Sequence, residues 1–164
     1  MFAYDPSEWT DFFVAAAGAS AALAGLVFVA VSINVDRILK YAGLPERGLE
    51  TVLLLMTVLL VSLFGLVPGQ SPRALGVELF VLAGCVGGAV LRLPTIRSDD
   101  KGGTFAWQLA RWGVRGAALI PFLVGALSLV AESGGGLYWI VAGMIFATTG
   151  AVTNAWVLLV EILR

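Results

Sequence analysis

Three stretches of this sequence contain no charged residue, and each is long enough to cross a lipid bilayer. Asp, Glu, Lys and Arg are all missing from residues 12–35, 51–72 and 133–160. A transmembrane helix needs roughly 18–20 apolar residues to span a hydrocarbon core about 30 Å thick. The chain is 13% charged, whereas soluble domains contain roughly 25% charged residues. We therefore expect an all-α membrane protein.

The apolar pattern predicts a bundle of about five transmembrane helices in a single domain, residues 1–164. We place the spans at residues 12–33, 51–67, 75–93, 113–131 and 137–160. Pro68-Gly69 closes the second span, and Gly134-Gly135-Gly136 precedes the fifth, because such residues favour tight turns. The third and fourth spans have the shortest distances between charged residues, so a shallow or re-entrant segment is the alternative for each.

Basic residues are distributed unevenly between the two sides that five spans define. The side with the N-terminus holds a single basic residue, Arg73. The other side holds the remaining nine, which are Arg37, Lys40, Arg47, Arg92, Arg97, Lys101, Arg111, Arg115 and Arg164. Lys and Arg are enriched on the cytoplasmic side of membrane proteins. We therefore expect the N-terminus outside the cytoplasm and the C-terminus inside.

The longest connection, residues 94–112, is expected in the cytoplasm. It begins with a polar loop and continues as a short amphipathic stretch. This stretch either lies flat on the inner leaflet or extends the fourth span, and we favour the extension because arginines commonly snorkel at helix ends. The excess of Arg over Lys, with much Ala, Gly and Val, indicates a bacterial source. The expected location is then the bacterial inner (plasma) membrane.

The composition argues against catalysis and against nucleic-acid binding. The chain has no histidine and a single cysteine, Cys85, so the commonest general base and the commonest metal ligands are missing. Its net charge of −1 provides no basic stripe for phosphates. We expect no enzymatic activity, no catalytic residue, no cofactor and no metal site. The expected partners are the lipid bilayer and either further copies of the chain or a larger membrane protein.

Two stripes of small residues at helical spacing are the main candidates for function. The first stripe contains Gly18, Ala22, Gly25, Val29, Ser32 and Asp36, and the second contains Gly143, Ala147, Gly150, Asn154, Val157 and Glu161. Small residues on one face let helix backbones approach closely in lipid. We interpret the stripes as packing seams, with Asn154 forming an interhelical hydrogen bond. The alternative is that they line a hydrated path with Asp36 and Glu161 at its mouth.

Other polar residues near the span ends are expected to have local structural roles. Asn34 is predicted to cap the inner end of the first span. Glu78 lies near the outer end of the third span, where Arg73 could reach it, and Glu161 could pair with Arg164.

Three functions are compatible with this pattern. The first is a non-enzymatic assembly or regulatory subunit that packs through its small-residue seams. The second is a small homo-oligomeric ion channel, indicated by the polar ends of both stripes. The third is one half of a transporter, which the lack of a charged residue at the midplane disfavours.

Overall fold

The computed structural model describes residues 2–41, 43–92 and 105–163, and these residues form helices and turns without any strand. Two short 3₁₀ helices, Phe2–Tyr4 and Pro6–Trp9, come first. They are followed by α1 Thr10–Ile33, α2 Val35–Ile38, α3 Leu44–Gly65, α4 Pro72–Arg92, α5 Phe105–Ala131 and α6 Leu137–Leu163. The predicted all-helical architecture is thereby confirmed for the described residues.

Four of these helices are long and apolar enough to cross a membrane. They lie at Pro6–Ile33, Leu44–Gly65, Pro72–Val90 and Leu137–Val160. The apolar part of α5, Gly116–Ala131, is shorter, and its 16 residues span about 24 Å at 1.5 Å per residue. The four helices fit a multi-pass membrane protein.

Each predicted span overlaps one long helix, but α3 and α5 begin seven and eight residues before their spans. α3 begins at Leu44 rather than at residue 51, because Pro45 and Glu46 suit the first turn of a helix even where a charged side chain is too polar for hydrocarbon. α5 runs without interruption from Phe105 through Pro121 to Ala131. The amphipathic stretch before residue 113 therefore continues the helix of the fourth span. Residues 93–104, which include the predicted polar loop, lie outside the described residues.

Helices α3, α4, α5 and α6 form a ring in which each packs against its two neighbours, and α1 lies outside this ring on α3. The α1–α3 contact is antiparallel, because Phe13 lies against Gly65 at one end and Val31 against Gly48 at the other. The most apolar 18-residue window is 56% buried in α3 but only 6% buried in α1. α3 is therefore the central helix, and α1 is the most exposed.

The core between the helices is apolar. Leu55, Leu75, Phe122 and Ile140 are almost completely buried, each coming from a different helix of the ring. Buried hydroxyl groups on α3 donate hydrogen bonds to carbonyl oxygens one turn earlier, from Thr57 to Leu53 at 2.7 Å and from Ser62 to Val58 at 2.8 Å. Such bonds satisfy the hydroxyl groups within their own helix, so these residues need no polar partner across the core.

The N-terminal segment and two turns meet at one end of the bundle, here called the turn end. The turn end comprises residues 2–9, the α3–α4 connection and the α5–α6 connection. The Arg73 Nε atom lies 2.8 Å from the Glu132 Oε1 atom and joins the two connections. The opposite end holds α2, the C-terminal end of α4, the start of α5 and the C-terminal end of α6, and it is here called the basic end.

Candidate functional site

The first stripe lies on the outer surface of α1. Gly18, Ala22, Gly25, Val29 and Ser32 are all exposed, and so is Asp36 in α2. A Cβ atom added at Gly18 or Gly25 would meet no other atom within 4 Å. These two glycines therefore provide no close contact within the chain.

The second stripe faces the interior of the bundle. A Cβ atom at Gly143 would lie 3.0 Å from the Phe122 ring of α5, and one at Gly150 would lie 3.6 Å from Leu54 of α3. Ala147 between them is completely buried. Gly143 and Gly150 of the second stripe thus pack against α5 and α3, respectively.

The two stripes do not face each other within one chain, because the first faces outward and the second faces inward. Asp36 and Glu161 were the polar residues placed at the mouth of the alternative hydrated path, and the structure describes the side chain of the first. Asp36 is exposed at the basic end. The side chain of Glu161, and Arg164 with which it was predicted to pair, lie outside the described residues.

A small polar site lies inside the ring near the basic end. A cavity of about 10 Å³ is bordered by Glu50 of α3 and Asn154 of α6, together with Val90 and Ala118 of α4 and α5. Glu50 is 9% exposed. Glu50 lies six residues after the start of α3, and Asn154 lies six residues before the end of the apolar part of α6, which corresponds to about 9 Å along each helix axis. The volume is sufficient for about one water molecule.

Glu50 was missing from the sequence-based candidates. It was treated as the charged boundary of the second span, because a carboxylate next to an apolar run is expected to lie in water. Residues one turn apart share a helix face, and Leu54, one turn after Glu50, is buried. Glu50 therefore lies on the buried face of α3. A carboxyl group inside a membrane bundle usually has a functional or structural partner.

Three other glycines mark the closest helix contacts and were also not singled out. An added Cβ atom would lie 2.5 Å from the Phe13 ring at Gly65, 2.8 Å from Val130 at Gly76, and 2.5 Å from Ile140 at Gly125. Glycine at these positions is required by the approach of the neighbouring helix. By contrast, a Cβ atom added at Gly84 or Gly88 of α4 would meet no other atom within 4 Å. Like Gly18 and Gly25 of α1, these two glycines, one turn apart, have no close neighbour in the chain, and they are here called the open pair on α4.

Side-chain contacts at the turn end differ from one prediction. Arg73 pairs with Glu132 rather than with Glu78. Glu78 instead accepts a 2.5 Å hydrogen bond from Gln70 Nε2, which follows the α3–α4 turn. Glu78 was the predicted partner because it is close to Arg73 in sequence. In the folded chain, the α5–α6 connection with Glu132 lies within reach of Arg73.

Two local caps have clear partners. The side-chain hydroxyl and then the backbone N–H of Ser7 donate hydrogen bonds to Asp5, and both lower the pKa of this exposed carboxyl group. Asn34 ends α1, as predicted, and its Nδ2 atom donates a 2.9 Å hydrogen bond to the Ala30 carbonyl oxygen. Both contacts fix helix ends near the membrane boundary.

No group of three His, Cys, Asp or Glu residues lies close enough within residues 2–41, 43–92 and 105–163 to hold a metal ion. Comparison of the chain with protein-family models, curated proteins and solved structures finds no match. The candidate functional features of the described residues are therefore the exposed first stripe and the interior polar site.

Proposed function

We propose that this chain is a non-enzymatic, multi-pass protein of the bacterial inner membrane that assembles through α1 with a transmembrane helix of a second copy. The observation that carries the proposal is the exposure of the first stripe on α1, the helix with the lowest burial. The proposed role is that of an assembly or regulatory subunit.

The open glycines of α1 favour a partner over lipid alone. Apolar side chains on this helix are compatible with lipid contact, but a glycine in a helix interior costs about 1 kcal/mol relative to alanine. Gly65, Gly76 and Gly125 compensate for this cost through close helix contacts. Gly18 and Gly25 lack such a contact within the chain. Docking of a second helix against them would supply it, as small-residue stripes do in membrane dimers.

The proposed topology has five crossings, with the N-terminus outside and the basic end in the cytoplasm. α5 is the crossing added to the four long apolar helices, and it is the fourth in chain order. Its 27 residues extend over about 40 Å, which is long enough to cross. The basic residues of the connections then follow the positive-inside distribution.

The experiment that tests the proposal measures the mass of the protein in mild detergent and energy transfer between labelled copies in vesicles. We expect the wild type to associate and Gly25→Leu to be mostly monomeric, because leucine blocks close backbone approach. Thr149→Leu is the matched control, since Thr149 is exposed on α6 outside both stripes. Gly84→Leu tests the open pair on α4. Equal association of wild type and Gly25→Leu would exclude α1 as the docking helix.

A second candidate function is an ion channel formed by several copies. It is favoured by the exposure of Ser32 and Asp36 at the basic end of α1, because a ring of copies that share this face would surround a path with a polar mouth. Flux of monovalent cations into vesicles tests this function, and Asp36→Asn should alter cation preference. An absence of wild-type flux would reject it.

A further inference from the structure

An apolar groove of about 270 Å³ lies between α1 and α6 in the half of the bundle nearer the basic end. α1 contributes side chains between Leu23 and Val31, α6 contributes side chains between Ala151 and Leu159, and Leu55 of α3 forms the floor. Every residue that lines the groove is apolar. This surface is distinct from the exposed first stripe.

The groove exists because α1 and α6 both pack on α3 and separate towards the basic end. At the turn end they are linked, since the rings of Trp9 and Tyr138 lie 5.1 Å apart edge to face. Further along, small side chains such as Ala30 and Ala155 leave the space between them open. The opening is therefore a feature of the helix arrangement and of residue size.

Two basic residues lie in sequence next to the residue that lines the groove at its basic end. Ile38 of α2 lines the groove, and Arg37 and Lys40, its neighbours in sequence, are exposed. Asp36 is the acidic residue next to them in sequence, and Glu46 follows Leu44, which packs with Ile38. Trp156 of α6 lines the same opening and is 68% exposed. Tryptophan favours the boundary between hydrocarbon and headgroups.

We propose that this groove binds one acyl chain of an anionic phospholipid, with the lipid phosphate held near Lys40 and Arg37. An apolar channel that ends in basic residues matches a hydrocarbon chain that ends in a negative headgroup, and basic sites at the cytoplasmic boundary attract anionic lipids.

The test is mass spectrometry of the intact protein released from nanodiscs that contain equal amounts of phosphatidylglycerol and phosphatidylcholine. We expect one phosphatidylglycerol to remain bound to each wild-type chain. Ala155→Leu should reduce the bound fraction at least fivefold, because the larger side chain fills the groove. Lys40→Gln should shift the bound lipid towards equal proportions of both headgroups.

The controls are matched in chemistry and placed outside the groove. Val81→Phe adds bulk on the exposed face of α4, and Arg92→Gln removes a positive charge at the end of α4; both should retain phosphatidylglycerol as the wild type does. Equal retention of the two lipids by the wild type would overturn the proposal. Unchanged lipid retention in Ala155→Leu would also overturn it. The same holds if Ala155→Leu loses self-association but keeps its bound lipid.

Discussion

The Tyr4 hydroxyl oxygen accepts a 2.9 Å hydrogen bond from the backbone N–H of Gly135, which joins the N-terminal segment to the α5–α6 connection. Trp9 reinforces this attachment through its edge-to-face contact with Tyr138. The same connection is joined to the start of α4 by the Arg73–Glu132 ion pair. The N-terminal segment thus contributes to the packing of the turn end, although it precedes the ring of helices.

Tyr4→Phe should lower the free energy of unfolding by about 0.5–1.5 kcal/mol, the usual net value of one hydrogen bond. The ring is retained, so the change reports mainly on the bond to Gly135. The measurement is denaturant unfolding in detergent micelles, followed by circular dichroism. Tyr41→Phe is the control, because Tyr41 is an exposed tyrosine at the basic end without a side-chain hydrogen bond in the described part of the chain. A smaller effect for Tyr4→Phe than for the control would contradict the prediction.

Gly136→Ala should destabilise the protein, whereas Gly18→Ala should not. Gly136 has a φ of +51°, where an alanine costs roughly 1–2 kcal/mol, and its added Cβ would also collide with the Ala3 carbonyl oxygen. Gly18 lies in a helix with open space around it, so alanine there should stabilise the monomer by up to about 1 kcal/mol. Thermal unfolding of both variants in the same detergent distinguishes them. Equal melting temperatures would show that the turn tolerates a side chain.

Helix positions were predictable because charge and apolar length leave few alternatives for a chain in lipid. The turns at Gly69 and at Gly134–Gly136 were likewise predictable, and all four glycines have positive φ values. The N-terminal limit of α3 was not predictable in this way. Glu46, Arg47 and Glu50 are unfavourable in hydrocarbon, but they are acceptable in a helix that extends beyond the hydrocarbon.

The orientation of each helix face could not be predicted from the same pattern. Gly25 and Gly150 occupy equivalent positions in two similar stripes, yet one is exposed and the other lies beside Leu54. Periodicity establishes that residues share a face, whereas the partner of that face depends on how all the helices pack. Glu50 was missed for the same reason, since only the packed bundle shows that it borders a cavity with Asn154.

The proposed topology predicts a specific labelling pattern in intact cells. In a Cys85→Ala background, single cysteines at Ser7 and Ser133 should react with an impermeant thiol reagent, because both residues lie at the turn end. A cysteine at Ser98, in the connection between α4 and α5, should react only after the membrane is opened. The background change is needed because Cys85 is exposed on α4. Equal labelling at Ser98 and Ser7 in intact cells would rule out five crossings with the N-terminus outside.

Asn154 provides the test that separates a structural role of the interior polar site from a conducting one. It borders the same cavity as Glu50, and a polar neighbour lowers the cost of a carboxyl group inside the bundle. The amide can interact across the cavity directly or through a single water molecule. We expect Asn154→Leu to lower stability by roughly 0.6–2 kcal/mol, the range for polar contacts between membrane helices.

The matched change on the opposite wall is Glu50→Gln, which retains the shape and removes the carboxylate. If the site is structural, Asn154→Leu should be less harmful in the Glu50→Gln background, because the two residues then share one interaction. Thermal unfolding of both single variants and the double variant gives this coupling, and cation flux into vesicles is measured on the same samples. Two results together would instead assign the site to a conducting path. The stability effects of the two changes would be additive, and Asn154→Leu would abolish a cation flux seen in the wild type without unfolding the protein. We expect coupled stability effects, because the cavity of about 10 Å³ has room for about one water molecule and is too small for a continuous column of water.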